Sequence, residues 1–193
     1  MIRIAEKKDI PAILAIYAPY VEHTTISFEY TVPTLEEFTA RFEAITKQYP
    51  WLVWEEKGEI LGYCYASAAY TRAAYAWTCE PSIYLREDAR GRGMGRRFYE
   101  ALEKILVCQG YQLSFALITQ ENKASLAFHE AMGYKVKVFY EDIGFKMGRW
   151  LGLAWMEKRL KSVEIPANPP ESWQDIMQDE QRKSYILGIL SLS

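Results

Sequence analysis

The sequence has no run approaching the roughly 18 apolar residues that a membrane span requires, and its opening stretch, MIRIAEKKDI, holds no apolar core of a secretory signal. A cytoplasmic protein with no membrane partner is therefore expected. Histidine is scarce: His23 and His129 are the only two in 193 residues, too few for a histidine-rich metal site. The three cysteines, Cys64, Cys79 and Cys108, are odd in number, widely spaced and without a CxxC pair, so reduced thiols are expected rather than a disulfide framework or a cysteine zinc site. Charge of one sign is also lacking. The formal net charge is -2, which makes any cluster of arginines a local feature and argues against a nucleic-acid partner.

What is present suits one globular domain: half of the residues are hydrophobic and a quarter are charged. Residues 2 to 5 read as a short strand. Asp9 reads as a cap for a helix carrying Ile10, Ile13, Leu14, Tyr17 and Val21, which Pro19 should end or kink. Thr34 and Glu37 form a capping box ahead of a second helix with Leu35, Phe38, Phe42 and Ile45 as its buried stripe. WLVWEE and EILGYCYASA are strands joined across Lys57-Gly58, and a further strand runs from about Trp77 to Leu85. A helix with Phe98, Leu102, Ile105 and Leu106 stops at Gly110, then QLSFALI is a strand. Asn122 caps a helix that Gly133 ends, YKVKVFYE is a strand, and residues 150 to 159 form the last one.

This order implies an α/β (α+β) fold with a mixed sheet flanked by helices, in one domain spanning residues 1–160. Residues 161–193 form an extension. It begins in the proline-rich stretch IPANPPESW and ends in Tyr185, Ile186, Leu187, Ile189 and Leu190, too apolar a cluster for a solvated tail. Packing against its own domain or a partner subunit is expected.

Five arginines and three glycines crowd the stretch REDARGRGMGRRFYEALEKI, residues 86 to 105. Strand, glycine-rich turn and helix start together make an anion site, because free amides and the positive end of the helix dipole point the same way. Neither common nucleotide loop is present: GxxxxGK[ST] is absent, and a dinucleotide GxGxxG is broken by Arg96 and Phe98. Arg90 to Gly95 instead matches [QR]xxGx[GA]. A bare turn into a solvated helix is the alternative.

Placed after SIYL and before an amphipathic helix, this pattern resembles the coenzyme A loop of the GNAT superfamily of N-acetyltransferases. RAAYAWTCEPSIYL, QENKASLAFHEAMGY and FKMGRWLGLAWMEK are similar to the branch that contains the phosphinothricin and methionine sulfoximine acetyltransferases. The resemblance covers residues 1 to about 160. It implies a sheet splayed between its fourth and fifth strands, acetyl-CoA as cofactor, a small-molecule amine as acceptor and a homodimer. Pyrophosphate would lie on the backbone of Arg90, Gly91, Arg92, Gly93, Met94, Gly95 and Arg96, with the pantetheine arm along Ile83, Tyr84 and Leu85. Asn122 and Ser125 match further cofactor positions, helix capping being their other reading. Pro81 fits a distorted strand.

An ammonium group has no lone pair with which to attack a thioester, so a base must take its proton. Glu80 stands where this branch carries its proposed base, and burial would lift its pKa into a useful range; pairing with an arginine is the alternative. Cys79 raises the possibility of an acetyl-cysteine intermediate, but strand alternation turns it away from a cleft that Glu80 faces. His129 replaces the tyrosine that many family members use as general acid, and is otherwise a core histidine. Phe28, Glu29, Tyr70, Arg72, Tyr75 and residues 146 to 150 match the acceptor neighbourhood, Arg72 being suited to a carboxylate. The chain departs from the branch at Tyr70, where a basic residue is common, and at Gly152, where aspartate is. Rival readings are acetylation of a protein or polyamine amine, an acetyl-CoA sensor without turnover, and a nucleic-acid-binding protein.

Overall fold

The computed structural model describes residues 1–163, 165 and 168–192; Pro166 and Ala167 of the proline-rich stretch lie outside the described residues. Seven strands form one sheet in the order β1-β2-β3-β4-β5-β7-β6, where β1 is Ile2–Ile4, β2 Trp51–Glu56, β3 Glu59–Ala68, β4 Thr78–Leu85, β5 Leu113–Thr119, β6 Lys135–Lys146 and β7 Arg149–Arg159. Every neighbouring pair is antiparallel except β4 with β5. No helix among the described residues is long and apolar enough to cross a membrane.

The sheet is covered on both faces, which explains why β2 reads as an unbroken apolar run. Trp51 and Val53 pack with α1 (Ile10–His23) and α2 (Leu35–Ile45), through Ile13, Tyr17, Phe38 and Phe42. Leu52 and Trp54 point the other way, into a cluster with Phe98, Leu102 and Ile105 of α3 (Met94–Gln109). That cluster also takes in Trp173 and Ile176 of α5 (Trp173–Gln178) and Ile186, Ile189 and Leu190 of α6 (Glu180–Ser191). Tyr185 and Leu187 stay exposed on the outer side of α6. Beside α3, α4 (Lys123–Ala131) and the residues that follow it cover β5 and β7 around Tyr99, Ile118, Met132 and Met156.

Several local signals act as the sequence implies. Thr34 and Glu37 make the reciprocal capping box, and Lys57 and Gly58, at φ 52° and 82°, form the tight hairpin turn. Gly110 closes α3 at φ 106°. Three expectations need correction. Asp9 does not cap α1 with its side chain; the carboxylate is held by Arg3 at 2.6 and 2.8 Å and by the Glu6 amide. Helix α1 continues past Pro19 to His23, because Pro19 and Ala15 both lie on the exposed side, where water can reach the carbonyl that the proline leaves unpaired. Leu35, in the first turn of α2, is exposed rather than buried.

The feature that positions the site is the meeting of β4 and β5. Only Thr78 with Leu113 and Cys79 with Ser114 are paired, although the strands contain 8 and 7 residues. Beyond them the strands part, and Pro81, which has no N–H to donate, stands just past the last pair.

Candidate active site

The parted strands open a cleft of about 520 Å³. Its walls are Glu80 to Tyr84 of β4, Ala116 to Thr119 of β5, Tyr99 of α3, the Asn122, Ser125 and His129 side of α4, and the segment Ile26 to Glu29 that joins α1 to α2. The cleft therefore touches elements from both faces of the sheet. Strand alternation assigns the faces: Cys79 is fully buried in the α3 cluster, whereas Tyr84 lies on the α1 side, its ring 4.9 Å from that of Tyr17. Glu80, in register with Tyr84 along the strand, shares the α1 side.

The Glu80 carboxylate has no hydrogen-bonding or cationic partner among the described residues, so the arginine pairing considered from sequence is not seen. Burial alone raises its pKa above the ordinary carboxylate value. Glu29, the second carboxylate of the cleft, is instead paired with Arg41 at 2.8 Å. The Cys79 thiol faces away and burial pushes its pKa up to about 12, a poor setting for a nucleophile.

At the open end of β4, Gly91 and Gly93 take φ 74° and 79°, the left-handed region where other residues are strained. The first bond inside α3 runs from the Arg97 amide to the Gly93 carbonyl, which leaves the amides of Met94, Gly95 and Arg96 without an intrahelical acceptor. Gly95 differs in kind: a Cβ there would come within 3.3 Å of the Phe128 ring, a tight contact that the ring would have to ease by a few tenths of an ångström. Most of the nearby arginine charge is used within the protein. Arg86 binds Glu59 and Asp88, Arg92 binds Glu56 at 2.7 Å, and Arg90 lies over the Tyr20 ring. The side chain of Met94 is in the core.

His129 is buried, and both ring nitrogens are engaged. Nδ1 lies 2.8 Å from the Ser125 carbonyl, which can only accept, so Nδ1 carries the proton and Nε2 accepts from the Tyr99 hydroxyl at 2.8 Å. Burial lowers the imidazole pKa, against a smaller opposing effect of the Ser125 carbonyl. Asn122 caps α4 by accepting from the Ser125 amide.

Of the residues singled out from sequence, Phe28, Glu29, Glu80, Ile83, Tyr84, Asn122, Ser125 and His129 surround this one cleft. Tyr70, Arg72 and Tyr75 stand outside its walls, the two tyrosine rings packed 4.5 Å apart, with Tyr70 also against Trp155. Lys146 does not face an acceptor: it is buried with its ammonium on three carbonyls. Tyr99 was not singled out, because in sequence it is one more apolar position of α3; only the fold brings it against His129.

The sequence matches the acetyltransferase (GNAT) domain model over residues 2–155. It is 38% identical over 165 residues to a phosphinothricin N-acetyltransferase of Alcaligenes faecalis, covering 83% of each chain. It is 36% identical over 161 residues to an L-methionine sulfoximine/L-methionine sulfone acetyltransferase of Pseudomonas paraeruginosa, covering 82% of this chain and 94% of the relative. A phosphinothricin acetyltransferase of Sinorhizobium meliloti, solved in complex with acetyl-CoA, superposes with a TM-score of 0.83 at 33% identity, over 90% of this chain and 97% of that one.

Proposed function

Given that the chain belongs to the GNAT family of acetyltransferases and uses acetyl-CoA, we propose that it acetylates the amino group of a small amino acid or analogue of the phosphinothricin or methionine sulfoximine type by direct transfer, with Glu80 as the general base. The observation that carries the reading is a half-buried, unpartnered carboxylate on the α1 side of a cleft that runs between two parted strands.

The residues fit the cofactor. Two left-handed glycines and three helix amides without acceptors suit a pyrophosphate, and the stretch of β4 that has parted from β5, at Ile83 and Tyr84, suits an extended arm that offers main-chain hydrogen bonds, whereas the Leu85 amide and carbonyl are both already bonded to the Tyr20 hydroxyl. Asn122 and Ser125 would stand beside that arm. Acetyl-CoA supplies an acetyl group held as a thioester. Glu80 takes the proton of the incoming ammonium, and its raised pKa brings it nearer to neutrality, where a base works best. The neutral His129 holds the Tyr99 hydroxyl in place on the thiol side. Phe28 and Glu29 form the acceptor wall, while Arg72, in the segment before β4 and outside the cleft's walls, is given no contact with the acceptor. The exposed apolar side chains Phe139, Ile143, Phe145 and Trp150 of the β6–β7 hairpin support a homodimer, and we place the protein in the cytoplasm.

Thiol release from acetyl-CoA, followed against phosphinothricin, methionine sulfoximine, methionine sulfone, a polyamine and a peptide N-terminus, tests the reading. Turnover with the amino-acid analogues is expected. Turnover with only the polyamine or the peptide would replace the proposed acceptor, and coenzyme A binding without any turnover would indicate a sensor.

A further inference from the structure

Phe28 and Glu29 belong to a segment, Thr24 to Tyr30, that has no regular secondary structure, yet Thr25 and Ser27 within it are buried. Such a segment keeps one conformation only if something holds its polar backbone. Lys146 of β6 does so, and its two preceding neighbours, Gly144 and Phe145, meet side chains of the segment. The Lys146 ammonium donates to the carbonyls of Val21 at 2.7 Å, Thr24 at 2.8 Å and Ser27 at 2.7 Å, which uses all three of its protons. Val21 and Thr24 lie at the C-terminal end of α1, where unpaired carbonyls and the negative end of the helix dipole attract a cation. Ser27 directly precedes Phe28. The Tyr30 hydroxyl donates to the Phe145 carbonyl. Between these two anchors, the Phe28 ring lies on the backbone of Gly144: a Cβ at that position would come 2.4 Å from the ring edge.

We infer that β6 is the rack on which the acceptor wall is mounted, with Lys146 as a positioning residue and Gly144 as a specificity-determining one, both acting through Phe28. This rests on the reading of the cleft as an amino-acid acetylation site. The absence of a side chain at residue 144 sets how far the Phe28 ring withdraws from the cleft. Any side chain there must displace the ring, which lines the cleft, and displacement into the cleft shortens the space for the acceptor's own side chain. Residue 144 thereby controls the permitted length of the acceptor's side chain.

The experiment compares Gly144→Ala, Phe28→Ala, their double variant and Lys146→Met, using methionine sulfone as the long acceptor and serine as the short one. Gly144→Ala should lower kcat/KM for methionine sulfone by about tenfold or more and leave serine little changed, since one methyl in a pocket has that effect. Coenzyme A affinity, measured by calorimetry, should not move. In the Phe28→Ala background the added methyl should lose its effect, because the ring through which it acts is gone. Lys146→Met should raise the acceptor KM and speed amide exchange across residues 24–30 by about tenfold or more, with β2 and β3 unchanged. Equal losses for both acceptors, or a Gly144→Ala effect that persists without the ring, would overturn the inference. So would unchanged exchange in Lys146→Met; if that variant does not fold, the Gly144 and Phe28 cycle decides. Should the wild type acetylate neither acceptor, the functional reading fails, while exchange across residues 24–30 in Gly144→Ala and Lys146→Met still tests the rack.

Discussion

The Tyr99 hydroxyl donates to Nε2 of His129 across 2.8 Å, and the carbonyl of Ser125, one turn earlier in α4, holds Nδ1. A buried imidazole with both nitrogens satisfied is a fixed, neutral group. Tyr99→Phe removes the donor and leaves Nε2 unpaired in the protein interior, at a cost of about 1 kcal/mol or somewhat more. For a chain of this length that corresponds to a fall in Tm of roughly 2–4 °C per kcal/mol, readable by thermal unfolding. A Tm equal to wild type would mean that the hydrogen bond contributes nothing.

Gly93 has open space around its Cα but a φ of 79°. Gly93→Ala therefore introduces backbone strain without a clash, worth about 1 kcal/mol. If the loop then relaxes, the amides of Met94, Gly95 and Arg96 no longer converge, and coenzyme A should bind several-fold more weakly by calorimetry. Gly110→Ala, also left-handed but at the opposite end of α3, should cost similar stability and leave coenzyme A affinity unchanged.

Ile186 is fully buried against the α3 side of the sheet even though it lies in the C-terminal extension. Ile186→Ala should destabilise the whole protein by about 2–5 kcal/mol, with one cooperative unfolding transition. Two separate transitions, or a negligible change, would mean that α5 and α6 are not part of the same folding unit.

Glu80 carries a stability consequence whose sign follows from its burial. The folded state holds the carboxyl proton to higher pH than the unfolded chain, so this group opposes folding by an amount that builds between the ordinary carboxylate pKa and the raised one and is full above the raised one. Glu80→Gln should thus raise Tm at pH 7, and the gain should vanish as pH falls below the ordinary carboxylate pKa. Destabilisation at pH 7 would contradict this environment for Glu80.

Much of the fold was legible because its signals are local. The capping box at Thr34, the Lys57-Gly58 turn and the Gly110 stop each depend on neighbours a few residues away. Where distant groups intervene, sequence reasoning fell short. Arg3 draws Asp9 off its helix. The irregularity between Tyr140 and Gly144, with Asp142 at φ 50°, interrupts alternation and hides that β6 runs on to Lys146. The candidate site divides the same way: WTCEPSIYL and the glycine loop are contiguous motifs, whereas the Tyr99–His129 pair and the Lys146 cage join residues far apart in the chain. In sequence the arginines of the glycine loop are only a local cluster of charge, whereas the structure commits most of those guanidinium groups to carboxylates and rings.

The central claim is that Glu80 accepts the proton of the acceptor amine. Its most direct test is the pH dependence of kcat/KM for the acceptor at saturating acetyl-CoA, in wild type and Glu80→Gln. The account predicts a wild-type rate that falls on the acidic side as a carboxyl with a raised pKa takes up its proton. In Glu80→Gln the rate should drop by about a hundredfold or more, and what remains should follow only the amine's own titration. An unchanged rate and an unchanged acidic limb in Glu80→Gln would contradict the account.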